Sequence, residues 1–108
     1  MALALFFSFY VPDFVMSKVI FSVKFFGRVQ GVGFRFFVLK EANKRKITGW
    51  VKNSWESDLV EALFQGEEKN VKEFIEFLKK PAYWIRVDKV VVEEINSNKK
   101  FNGFEVKY

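Results

Sequence analysis

Residues 27–35, Gly-Arg-Val-Gln-Gly-Val-Gly-Phe-Arg, place three glycines and two arginines in nine positions. Glycine reaches positive φ and lets backbone approach a ligand closely. A turn of this kind that opens a helix leaves several N–H groups without partners, and the helix dipole adds partial positive charge. Such a junction holds an anion, typically phosphate. Arg28 lies in the loop, and Arg35 lies one residue inside the expected helix start. A cation there opposes the dipole by roughly 0.3–1 kcal/mol. An anion in the loop would turn that repulsion into attraction, and Arg35 would grip two of its oxygens. The same residues also read as a tight turn followed by a solvated arginine. The pattern alone leaves both readings open.

Composition narrows the chemistry further. The 108 residues include no cysteine and no histidine. Disulfides, zinc fingers, thiol nucleophiles, Ser-His triads and histidine general bases are excluded. A mechanism must use arginine, lysine, carboxylates, amides, hydroxyls or the backbone. The net charge of +5 and pI near 9.5 imply attraction to anions without choosing among them. An apolar fraction of 50% argues for an ordered core, and the length suits one domain.

The elements that position the loop follow from periodicity. Residues 19–26 alternate, with Phe21, Val23 and Phe25 on one face and Ser22 and Lys24 on the other, which predicts a half-buried strand. Residues 34–46 switch to helical spacing, with Phe34, Phe37, Val38 and Ala42 in one stripe. Residues 47–53 and 59–65 predict a strand pair joined by the polar connection Ser54–Asp58. Gly66–Lys69 reads as a turn. Asn70 with Glu73 then reads as a capping box for a helix whose stripe is Val71, Phe74, Ile75 and Leu78, stopped by Pro81. Strands at 85–95 and 104–108 complete the order. The expected architecture is α+β, a ferredoxin-like split βαβ (βαββαβ), with an antiparallel sheet and both helices on one face. Asn53 ends the second strand and, by itself, reads as a turn residue.

The first fifteen residues differ from the rest, with one charge, Asp13, and no lysine or arginine. Their apolar run is too short to span a bilayer, and they lack the basic start and small-residue cleavage site of a secretory signal. Met16 is the expected biological start, and residues 1–15 an upstream extension of the reading frame. Residues 1–18 are therefore set apart from a domain at 19–108. Cysteine usage and the missing signal make the cytoplasm the expected compartment.

G-R-V-Q-G-V-G-F-R at 27–35, followed by G-W-V-K-N at 49–53, resembles the two motifs of the acylphosphatase family, G-x-V-Q-G-V-x-F-R and G-x-V-x-N. Gly27, Val29, Gln30, Gly31, Val32, Phe34, Arg35, Gly49, Val51 and Asn53 match every fixed position. The resemblance implies hydrolysis of acyl phosphates to carboxylate and phosphate, with no metal, no cofactor and no phosphoenzyme. It implies that Arg35 holds the phosphate within a cradle formed by Arg28, Val29, Gln30, Gly31 and Val32, and that Asn53 orients the attacking water. Two departures stand out. The Ser54–Asp58 connection is one residue longer than the family's usual turn and lacks its glycine, and Gly33 replaces a commonly bulky residue. Chemistry agrees with the resemblance: an acyl phosphate has a good leaving group, so positioning and electrostatics suffice.

An RNA-recognition module shares the element order and the basic charge. Its aromatic string belongs on the third strand, whereas here the similar string opens the first helix. The related domain of hydrogenase-maturation carbamoyltransferases sits in much longer chains with cysteine-rich zinc motifs. The expected partner is a small acyl phosphate alone, with no nucleic acid and no membrane, and the chain is expected to be a monomer.

Overall fold

In a computed structural model, which describes residues 18–108, five strands and two helices follow in the order β1 (Lys18–Arg28), α1 (Phe34–Lys44), β2 (Thr48–Asn53), β3 (Leu59–Glu67), α2 (Glu68–Leu78), β4 (Arg86–Ile95) and β5 (Phe104–Lys107). Of the expected N-terminal extension 1–18, residues 1–17, and with them the start at Met16, lie outside the described residues, while Lys18 is the first residue of β1 and pairs with Glu67 of β3. The sheet order is β4-β1-β3-β2-β5. β1 runs antiparallel to β3 and β4, and β2 antiparallel to β3. This is the ferredoxin-like arrangement expected from the sequence. β5 adds one departure: it pairs parallel with β2, so the sheet is mixed rather than wholly antiparallel.

The period of two in β1 puts Val19, Phe21, Val23 and Phe25 into one core with Val60, Ala62 and Phe64 of β3 and Val51 of β2. The helices close it with Phe34, Val38 and Ala42 from α1 and Val71, Phe74, Ile75 and Leu78 from α2. The helix stripes are the ones that the spacing predicts. Phe64 is the hub, 4.9 Å from Phe74 and 6.3 Å from Phe25 between ring centres. Each such buried ring contributes about 1.5–3 kcal/mol of apolar burial.

α2 begins earlier than the capping box predicts. β3 continues through Gly66 to Glu67, and the helix starts at Glu68 with no turn between them. Glu67 is the N-cap, in extended geometry, and its side chain caps nothing. Glu68 in the first turn complements the dipole and pairs with Lys72 at 2.7 Å. Asn70 thus lies inside the helix. No helix among the described residues is long and apolar enough to cross a membrane.

Candidate active site

The sheet register brings several chain segments to one end of the molecule. Phe26 of β1 lies opposite Leu59 of β3, Asn53 of β2 opposite Val60 of β3, and Lys107 of β5 beside Lys52 of β2. The exit of β1, the entry of β3 and the exits of β2 and β5 therefore share an edge. The loop from β1 to α1 leaves from this edge, and α1 starts there.

That loop is pinned from both sides. Val29 is 1% exposed within the core. Phe34, the first residue of α1, packs edge-on against Phe25 of β1 at 5.2 Å. Between these anchors the backbone turns through positive φ at Gly31 (73°) and Gly33 (82°), values that side-chain-bearing residues rarely adopt. Gly33 is the N-cap and offers no side-chain acceptor, and the first turn holds no acidic residue. Among the described residues, no protein oxygen accepts from the N–H groups of Gln30, Gly31, Val32 and Gly33. Unsatisfied donors at a helix start are a site for an anion.

Gln30 behaves differently from its neighbours. Its Nε2 donates to the carbonyl oxygens of Ser54 (3.2 Å), Glu56 (2.7 Å) and Leu59 (2.8 Å). One side chain thereby ties the loop to the connection after Asn53. The Ser54–Asp58 turn also closes on itself. Ser54 N–H donates to Leu59 O at 3.0 Å, and Leu59 N–H to Glu56 O at 3.2 Å. Gly27 N–H reaches Asp58 O at 2.9 Å. These backbone hydrogen bonds hold the glycine-free connection in place.

Asn53 shares the helix-side face of β2 with Gly49 and Val51. Its Oδ1 is buried and accepts no hydrogen bond from the described residues. A buried acceptor without a partner is uncommon and disfavoured unless something else satisfies it.

Arg35 is half-buried. Its Nη1 donates to Lys107 O at 3.4 Å, and its guanidinium carbon lies 4.9 Å from the Tyr108 ring centre. The last two residues of the chain thus brace the arginine beside the exit of β2. Sequence reasoning missed these residues, because their approach depends on the parallel pairing of β5. Arg28 is exposed at the end of β1, opposite Arg86 of β4.

The family model described as Acylphosphatase matches residues 21–106. The chain belongs to the acylphosphatase family. An acylphosphatase of Bacillus velezensis is 43% identical over 82 residues, covering 76% of this chain and 90% of that protein. The crystal structure of acylphosphatase from Bacillus subtilis superposes with a TM-score of 0.78 at 39% identity, covering 83% of this chain and 99% of that one. A probable carbamoyltransferase of Methanocaldococcus jannaschii is 41% identical over 93 residues, which are 85% of this chain and only 12% of that protein. The Gly27–Arg35 loop and the Asn53 end of β2 both lie at the edge described above. Phe64, the aromatic on β3, is fully buried under the helices, so β3 offers no ring to the open face of the sheet.

Proposed function

We propose that this protein hydrolyses acyl phosphates to carboxylate and inorganic phosphate, without a metal ion and in the cytoplasm. The phosphate sits at the loop Arg28–Val32, where its oxygens accept from the free N–H groups, and Arg35 neutralises its charge. Asn53 accepts from the attacking water through Oδ1 and directs the water's lone pair toward phosphorus. The new O–P bond forms as the bond from phosphorus to the bridging oxygen breaks. The carboxylate leaves with that electron pair, and a phosphate oxygen takes the water's proton.

The observation that carries this reading is the Gln30 tie to Ser54 O, which couples the loop of unsatisfied donors to the strand end bearing an unsatisfied acceptor. Donors suit phosphate, and an acceptor suits water. Electrostatic preorganisation of this kind accounts for much of phosphoryl-transfer catalysis. Among the described residues no three carboxylates gather into a group that would hold a metal. The test is hydrolysis of benzoyl phosphate in excess EDTA. Turnover that persists in EDTA supports the reading, and turnover that appears only on adding a divalent cation contradicts it.

A further inference from the structure

A second feature lies at the same edge, on the opposite side of β1 from Asn53. A groove of about 550 Å³ is lined by Arg28, Lys79, Lys80, Tyr83, Trp84 and Arg86. Arg28 belongs to both places: it lines the groove and immediately precedes the cradle residue Val29.

The groove is built and not incidental. Residues 82–85 form a tight turn closed by Ile85 N–H to Ala82 O at 3.1 Å, with Ile85 in the core and Ala82 packed against it. That turn holds two aromatic rings outward, Tyr83 at 96% and Trp84 at 56% exposure, in edge-to-face contact at 5.2 Å. Exposed rings on an anchored turn mark a contact surface. Gly27 allows the wall to close, because a Cβ there would collide with the Arg86 carbonyl oxygen.

Charge supplies the second observation. Arg28 and Arg86 stand directly opposite each other on β1 and β4. Like charges in that position are destabilising, and a broken local rule of this kind accompanies a functional site. No carboxylate lines the groove. Lys79 pairs with Glu76 and Arg86 with Asp88, both on the surface where ion pairs are weak. Among the described residues Arg28 and Lys80 have no carboxylate partner.

We infer that this groove receives the acyl half of the substrate and selects acyl phosphates whose acyl group carries a second anion. The inference rests on the proposed activity, because it takes the phosphate to lie in the Arg28–Val32 loop. The acyl chain then runs past Arg28 with its carbon skeleton against Trp84, and its far anion meets Lys80 and Arg86.

The experiment compares succinyl phosphate with butyryl phosphate, two four-carbon acyl groups that differ in the terminal carboxylate, on the wild type and on the Lys80→Gln, Arg86→Gln double variant. The wild type should favour succinyl phosphate by roughly fivefold in KM at low salt, the scale of one screened charge contact. The preference should fall as salt rises. In the double variant it should disappear, with butyryl phosphate turnover unchanged. Equal KM values in the wild type, or a preference that survives in the double variant, overturn the inference while leaving the activity intact. If neither compound is hydrolysed, the proposed activity fails and this inference fails with it.

Discussion

The Arg35 guanidinium carbon stands 4.9 Å from the centre of the Tyr108 ring, while its Nη1 donates to the neighbouring Lys107 carbonyl at 3.4 Å. Tyr108 is 92% exposed, so its ring adds little to the core. Its contact with Arg35 restricts where the guanidinium can point. Exposed cation–π contacts are worth about 0.5–1 kcal/mol. Tyr108→Ala should therefore raise KM for benzoyl phosphate roughly two- to fivefold, a cation–π contact's worth. Steady-state kinetics with a parallel thermal melt checks this, and the melting temperature should fall by only a few degrees, roughly the stability that the contact contributes.

Gln30 joins stability to geometry. Replacing it with alanine removes a donor shared among three carbonyls. Leaving those acceptors to water should lower unfolding free energy by about 1–2 kcal/mol. Freed from this tie, the Ser54–Asp58 turn should drift and carry Asn53 out of line. Gln30→Ala should accordingly lose kcat as well as stability, read by denaturant unfolding and initial rates on the same preparation.

Asn53 should separate the two effects. Its Oδ1 has no partner among the described residues, so Asn53→Ala removes a buried unsatisfied acceptor and should leave stability unchanged or slightly raised. The rate should suffer: loss of one preorganised polar group commonly lowers kcat by on the order of 10²-fold. KM should stay near the wild-type value. A kcat-against-KM comparison on folded protein checks the split.

Much of this arrangement was legible in the sequence. The stripe Phe34, Val38 and Ala42 and the alternation Phe21, Val23 and Phe25 determine which faces are buried, because periodicity reports burial directly. The turn between β1 and α1 was legible for a different reason: glycine marks backbone that other residues avoid, and Gly31 and Gly33 do take positive φ. Two things were not legible. The strand pattern of Phe104, Val106 and Tyr108 says nothing about direction, so the parallel seat beside β2, and with it the Arg35 contact, stayed hidden. Asn70 and Glu73 have the residue types of a capping box, but Gly66 and Glu67 continue β3. Packing of Val71 and Phe74 fixes the helix whichever residue precedes it, so the cap signal was overridden.

Glu41 makes stability depend on pH. It is 8% exposed within α1, and Arg45 meets its Oε1 at 2.6 Å while Lys44 meets Oε2 at 3.3 Å. The Arg45 hydrogen bond, aided by Lys44, holds its carboxyl below the usual 4.5 despite burial acting the other way. A carboxyl more acidic when folded contributes its full stability above the ordinary carboxylate range and loses it as pH falls through the lowered value. Between about pH 5 and pH 2, the wild type should therefore lose stability more steeply than Glu41→Gln. Urea unfolding midpoints across that range check the difference in slope.

The central claim is that Arg35 acts on the phosphate and is not a solvated helix arginine. Benzoyl phosphate hydrolysis in EDTA, compared between the wild type and Arg35→Ala with folding verified by circular dichroism, tests it most directly. The account predicts that kcat/KM falls by at least about 10³-fold, as expected when the guanidinium that stabilises transferring phosphoryl charge is removed. A folded Arg35→Ala variant that retains wild-type kcat/KM would contradict it.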